Sequence, residues 1–179
     1  SYTATSVVDT LFVGRLGTAE LAAVGLAIPL VHLMQALGCG LIGGGRVAMS
    51  HRVGAEDSVT ARHLCWQLLS LSLCIGVLVA LGMPLARPVL GLLGASEEMS
   101  VHAEIFFGIR VLAAPLLFGS FALNAWFHAN GNTRTPMVGT LFCNGVNIVL
   151  DPLLIFGWGP VPPMGVAGAA LATNIGFAV

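Results

Sequence analysis

Two aspartates stand where aspartates are costly. Asp9 lies in the apolar opening segment SYTATSVVDTLFVG, and Asp151 interrupts a run that is otherwise uncharged over residues 135–156. Charged side chains at membrane depth are rare, and by default they mark an ion or substrate path. Each acid precedes a glycine turn by a similar distance, Gly14 five residues after Asp9 and Gly157 six residues after Asp151. At ~1.5 Å per residue both carboxylates fall ~8 to 9 Å short of their helix ends, so they can share one layer. Two acids in one layer can exchange a proton as a coupled pair.

The residues around Asp151 extend that chemistry. Thr140, Asn144, Asn147 and Asp151 follow offsets of four, three and four, which places them on one stripe of a helix. Pro152 is expected to kink that helix, because it has no N–H to donate and its ring clashes with the carbonyl of Ile148. A freed carbonyl beside an amide and a carboxylate makes an oxygen-rich site for a proton, a water or a small hard cation. On the first segment Thr5 lies four residues before Asp9, with Tyr2 and Ser6 nearby. Asp9, Asn147 and Asp151 are therefore the predicted coupling residues, with Thr5, Thr140 and Asn144 lining the cavity. The competing reading makes Asn147 and Asp151 structural glue between helices.

These residues need apolar helices to hold them, and the composition supplies such helices. Of 179 residues 56% are apolar and 8% charged, against about 25% charged in a soluble domain. Uncharged stretches at 21–45, 64–86, 111–133 and 152–179 each exceed the ~20 residues that cross a bilayer. The run from 135 to 156 also spans if Asp151 is tolerated. The chain is thus expected to be an all-α integral membrane protein of about six spans. The first and last spans are expected to be truncated, because the opening has no initiator Met or charged leader and the closing stretch has no polar terminator.

Local chemistry sets the boundaries. The second helix should run from Thr18 and close at Gly54 with a left-handed cap. Asp57 or Ser58 should cap the third, which ends near Pro84. The fourth should start at Ser96, Glu97 and Glu98 and continue unbroken to Gly131, a ~48 Å rod that leaves Arg110 near the membrane interface. Thr135 with Pro136 should open the fifth, which runs to Phe156, and GWGPVPPMG should separate it from a sixth beginning near Gly165. The loops after the second and fourth helices hold Arg46, Arg52, Arg62 and Arg134. The opposite face holds Arg15 and Arg87, so the first group is placed in the cytoplasm.

Other patterns carry less. Gly38, Gly40 and Gly43 spell GxGxxG, but no strand precedes them, and close packing through a Gly40–Gly44 pair is the better account. Gly165 with Ala169 and Gly168 with Ala172 repeat that spacing. His102 and Glu104 resemble half of a deaminase motif without its PCxxC. The four cysteines form no CxxC, no metal site is expected, and no HExxH, GxSxG or Walker A motif supports catalysis. All seven positive charges are arginine and none cluster, so nucleic acid is not an expected partner.

The segments VDTLFVGRLGTAELAAVGLA, SHRVGAEDSVTAR, HANGNTRTPM, NGVNIVLDPLLIFG and GVAGAALAT resemble, in order, the multidrug and toxic compound extrusion (MATE) transporters. NxxLDP after GNTRTP is most similar to their DinF-like branch. The resemblance implies one lobe of a twelve-helix protein, here the N-terminal one, spanning residues 1–179 and lacking the C-terminal lobe as its partner. It also implies a non-enzymatic secondary antiporter of the cytoplasmic membrane. Such a protein exports organic cations, drugs or other amphipathic compounds in exchange for protons or sodium ions, with no cofactor beyond the coupling ion. In that branch the acid of the first helix and the Asn and Asp of the fifth line the lobe cavity, matching Asp9, Asn147 and Asp151. Two alternatives remain: a lipid-linked glycan flippase of the same superfamily, which needs several cationic groups in its cavity, and a non-transporting membrane scaffold.

Overall fold

The structure is a computed structural model that describes residues 2–92, 96–158 and 162–178, without the side chains of residues 2–6 and 98. Among the described residues eight α-helices follow in chain order: α1 (Tyr2–Val13), α2 (Thr18–Gly54), α3 (Ser58–Leu81), α4 (Ala86–Leu92), α5 (Glu97–Leu112), α6 (Ala114–Ala129), α7 (Arg134–Phe156) and α8 (Val166–Ala178). A 3-10 turn, Met83–Leu85, leads into α4. Three helices, α2, α3 and α7, are long and apolar enough to cross a bilayer. A fourth span forms if α5 and α6 are taken together, and the chain is a multi-pass membrane protein. The described parts of α1 and α8 have 12 and 13 residues, short of the ~20 required for a crossing.

The fourth span departs from the unbroken rod expected of it. It is bent by 46° between Leu112 and Ala114. Pro115 sits in the first turn of α6, where its missing N–H costs nothing, whereas in a continuous helix its ring would meet the carbonyl of Val111. The break is thus the chain's way of keeping the proline.

Helix ends follow short-range hydrogen bonds. The Asp57 carboxylate accepts from the Thr60 N–H at 3.1 Å to open α3, and Ser96 Oγ accepts from the Met99 N–H at 3.4 Å to open α5. Two other ends differ from expectation. Asn132, rather than Thr135, supplies the side-chain acceptor before α7, taking the Thr135 N–H at 3.1 Å and donating back to its hydroxyl at 2.9 Å. At the end of α2 the left-handed residue is Glu56 (φ 58°), not Gly54. The Glu56 and Asp57 N–H groups close onto the Val53 and Arg52 carbonyls, which places the positive φ two residues after Gly54. The matching turn after α6 uses Gly131 (φ 72°).

Packing relies on small residues, since lipid removes most of the hydrophobic drive between spans. A Cβ added at Gly38 would run into the Phe118 ring, at Gly45 into Leu68, and at Gly76 into the backbone of Pro115. Gly40, Gly43 and Gly44 meet nothing within 4 Å, so the expected Gly40–Gly44 contact is not made. Gly38 and Gly45, seven residues apart, face the helix neighbours, while the others lie on the open face of α2. The Gly168 spacing does its expected task, because its Cα lies against the carbonyl of Leu154. The Met164 and Gly165 N–H groups also donate to the Leu154 and Ile155 carbonyls at 2.9 and 3.1 Å. Leu41, Trp66, Leu78 and Phe142 point outward, as lipid-facing residues do, whereas seven polar residues among the described ones are buried.

Candidate functional site

Four helices bring five of those polar residues together. Asp9 is buried on α1 (3% exposed), Asn147 and Asp151 on α7 (1% and 0%), Thr173 on α8, and Arg110 on α5 (7%). Asn147 and Asp151 lie one turn apart, so the Asn147 amide nitrogen reaches back to Asp151 Oδ1 at 3.2 Å. The same nitrogen lies 3.3 Å from Thr173 Oγ1. Thr173 in turn donates towards Asp9, at 3.1 Å from Oδ2 and 3.4 Å from Oδ1. The two acids predicted to share a layer therefore do share one, linked across α8 by a hydroxyl and across α7 by an amide.

Two features make this cluster unusual. The Thr173 hydroxyl has one proton and two acceptors, since the Ala169 carbonyl lies at 3.0 Å as well as the Asp9 carboxylate. Asn147 Oδ1 and Asp151 Oδ2 are buried with no hydrogen-bond partner. Two orphan acceptors in one buried cluster are costly as they stand, and a proton or a small cation would satisfy them.

The remaining predicted residues are placed differently. Thr140 and Asn144, on the same stripe of α7, lie below the acids and line a separate cavity of ≈ 250 Å³ between α6, α7 and α8, with Ser120, Asn124 and Phe127 on its far wall. The Thr140 hydroxyl donates to the Pro136 carbonyl at 2.8 Å. Pro152 sits inside α7, which continues without interruption to Phe156. The Thr5 side chain lies outside the described residues. Arg110 is buried and turned into the lobe. Its Nη1 donates to Asn174 Oδ1 at 2.9 Å and its guanidinium lies 5.3 Å from the Phe177 ring centre. Its charge acts on Asp9.

Thr173, Asn174 and Arg110 were not singled out as site residues by spacing. Thr173 and Asn174 form the only adjacent polar pair in GVAGAALATNIGFAV, and that is the signal that could have found them.

The MatE family model matches residues 1–153. A FAD transporter of Shewanella oneidensis is 31% identical over 97% of the chain, which covers 39% of that relative. The multidrug export protein MepA of Staphylococcus haemolyticus is 30% identical over 97% of the chain, covering 38% of its own length. Among solved structures, the inward-facing conformation of a multidrug resistance MATE family transporter of the MOP superfamily superposes with a TM-score of 0.92. That match is 30% identical and covers 99% of the chain and 40% of the transporter. The chain thus spans less than half the length of these relatives, and over that span it has their fold as one lobe. With a family model that covers most of its residues and a buried Asp–Asn–Asp cluster inside the shared fold, the chain belongs to the MatE family.

Proposed function

We propose that the chain is the N-terminal lobe of a DinF-like secondary antiporter of the cytoplasmic membrane, and that Asp9, Asn147 and Asp151 are its coupling groups. The protein exports organic cations, drugs or other amphipathic compounds in exchange for protons or sodium ions. The observation that carries this reading is the buried acid pair with two unsatisfied acceptors beside it. Such a cluster gains most when it takes up a cation and loses that gain when the cation leaves, which is the property a coupled exchanger needs.

Orientation supports the direction of export. With Arg110 inside the lobe, the loop arginines divide as Arg46, Arg52, Arg62 and Arg134 on one face against Arg15 and Arg87 on the other. The larger group belongs in the cytoplasm, so the acids lie nearer the outer face. The flippase alternative fares worse, because the cationic side chain nearest this cluster, Arg110, is engaged by Asn174 and Phe177 rather than displayed to a pyrophosphate. One relative is a FAD transporter and another a multidrug exporter, so the substrate is assigned here as an amphipathic compound rather than by charge alone.

A second lobe completes the cavity, since alternating access comes from one bundle rocking against another. The test is therefore made in the full-length transporter. Asp9→Asn and Asp151→Asn should each leave the protein folded and inserted while abolishing drug efflux from energised vesicles. Wild-type efflux from both variants, under a proton gradient and again under a sodium gradient, would move coupling out of this lobe and leave the scaffold reading.

A further inference from the structure

Thr173 and Asn174 are consecutive on α8, and they hold opposite charges. Thr173 bonds to the Asp9 carboxylate and Asn174 accepts from the Arg110 guanidinium. Asn174 is itself fixed, its amide nitrogen donating to the Ile109 carbonyl at 2.6 Å, so the neighbour of Arg110 in sequence also steadies its partner. The elements packed around the cluster bring Asp9 from α1, Arg110 from α5, and Asp151 and the Cys143 thiol from α7, while α8 brings the neutral Thr173 and Asn174.

We propose that Arg110 is a built-in counter-charge that limits the Asp9–Asp151 site to one monovalent cation. An arginine does not lose its proton, even when buried. Two ionised acids and one guanidinium sum to a charge of −1, so a single cation brings the cluster to neutrality. A second would leave an uncompensated positive charge in a dry interior, which is strongly disfavoured. Without Arg110 the same two acids would require two cations. The inference rests on the coupling role proposed for these acids.

The experiment counts cations on the purified full-length transporter. Sodium is counted by calorimetry in sodium-free choline buffer, and protons by dye-monitored uptake without sodium. Both are measured as the excess over an Asp9→Asn/Asp151→Asn double variant. Wild type and Arg110→Lys should take up one cation, by whichever arm responds. Arg110→Gln should take up two, or bind its first at least tenfold more tightly, since in an effective dielectric of ~20 one unit charge is worth that factor out to about 12 Å. A count of two in wild type, or an Arg110→Gln variant with unchanged count and affinity, overturns the counter-charge. Should Arg110→Gln fail to accumulate, the charge-restoring Asp9→Asn/Arg110→Gln variant should accumulate. If it does not, Arg110 acts through packing and the proposal falls. No difference between wild type and the acid double variant in either arm would instead remove the coupling reading itself.

Discussion

Gly76 of α3 stands against the backbone of Pro115, at the point where the fourth span breaks. The contact is with main chain, which cannot swing aside, so a methyl group at position 76 must push two helices apart. Gly76→Ala should therefore cost about 1 to 3 kcal/mol, the usual range for overpacking. Gly40→Ala and Gly44→Ala face open space and should change stability by no more than about 0.5 kcal/mol. Surviving monodisperse protein after heating, measured by size-exclusion chromatography, ranks the three. Equal loss for all three would mean that the α3–α6 contact is not close.

Thr173→Val keeps the shape of the side chain and removes its hydroxyl. It should cost about 0.5 to 1.5 kcal/mol, the net worth of a hydrogen bond. It should also uncouple efflux in the full-length transporter by separating Asp9 from Asn147. Thr173→Ser retains the oxygen and should retain coupling. A valine variant that transports like wild type would show that the hydroxyl is a bystander.

Glu56 holds a left-handed backbone that glycine adopts without strain. Glu56→Gly should raise stability by up to about 1 kcal/mol, and Glu56→Gln should be nearly neutral for both stability and efflux. A glycine variant that melts below wild type would indicate that Glu56 makes a contact worth more than the strain it bears.

The side-chain hydroxyl and backbone N–H of Thr60 hold the Asp57 carboxyl below its ordinary range, with Arg52 3.8 Å away adding to the effect. The folded state then binds fewer protons here than the unfolded state, so this cap is fully stabilising above the ordinary value of ~3.9. That stability is lost as the pH falls through the lowered folded value. Asp57→Asn keeps an acceptor but does not titrate, so its stability should fall less on acidification than that of wild type. Identical acid profiles would assign the loss to other groups.

Much of the site was visible in the sequence because charge inside an apolar run is a strong signal. Asp9, Asn147 and Asp151 were legible from their types, their one-turn spacing and their matched distance from glycine turns. Thr173 and Asn174 were not, because a Thr and an Asn in a short apolar helix are common and their importance depends on which neighbours α8 faces. Arg110 was assigned to the interface because the fourth span was expected to be straight. Pro115 held the information that it is not. A proline in the middle of an uncharged run has the same missing N–H that drew attention to Pro152, yet one opens a new helix and the other lies within one. The difference is tertiary: α3 closes on the break through Gly76, whereas α7 stays continuous beside α8.

The bonds from Met164 and Gly165 to the last carbonyls of α7, with Gly168 seated on Leu154, fasten the loop end of the α7–α8 hairpin. A lever clamped in this way has no slack at its fulcrum, so its two arms tilt as one piece. Asn147, Asp151 and Thr173 ride together on that piece. Asp9 does not, being carried on α1, which meets the hairpin through the Thr173 hydroxyl and the Phe12 and Phe156 ring edges 6.3 Å apart. The distance between the two acids is thus set by where α1 stands along a stiff wall.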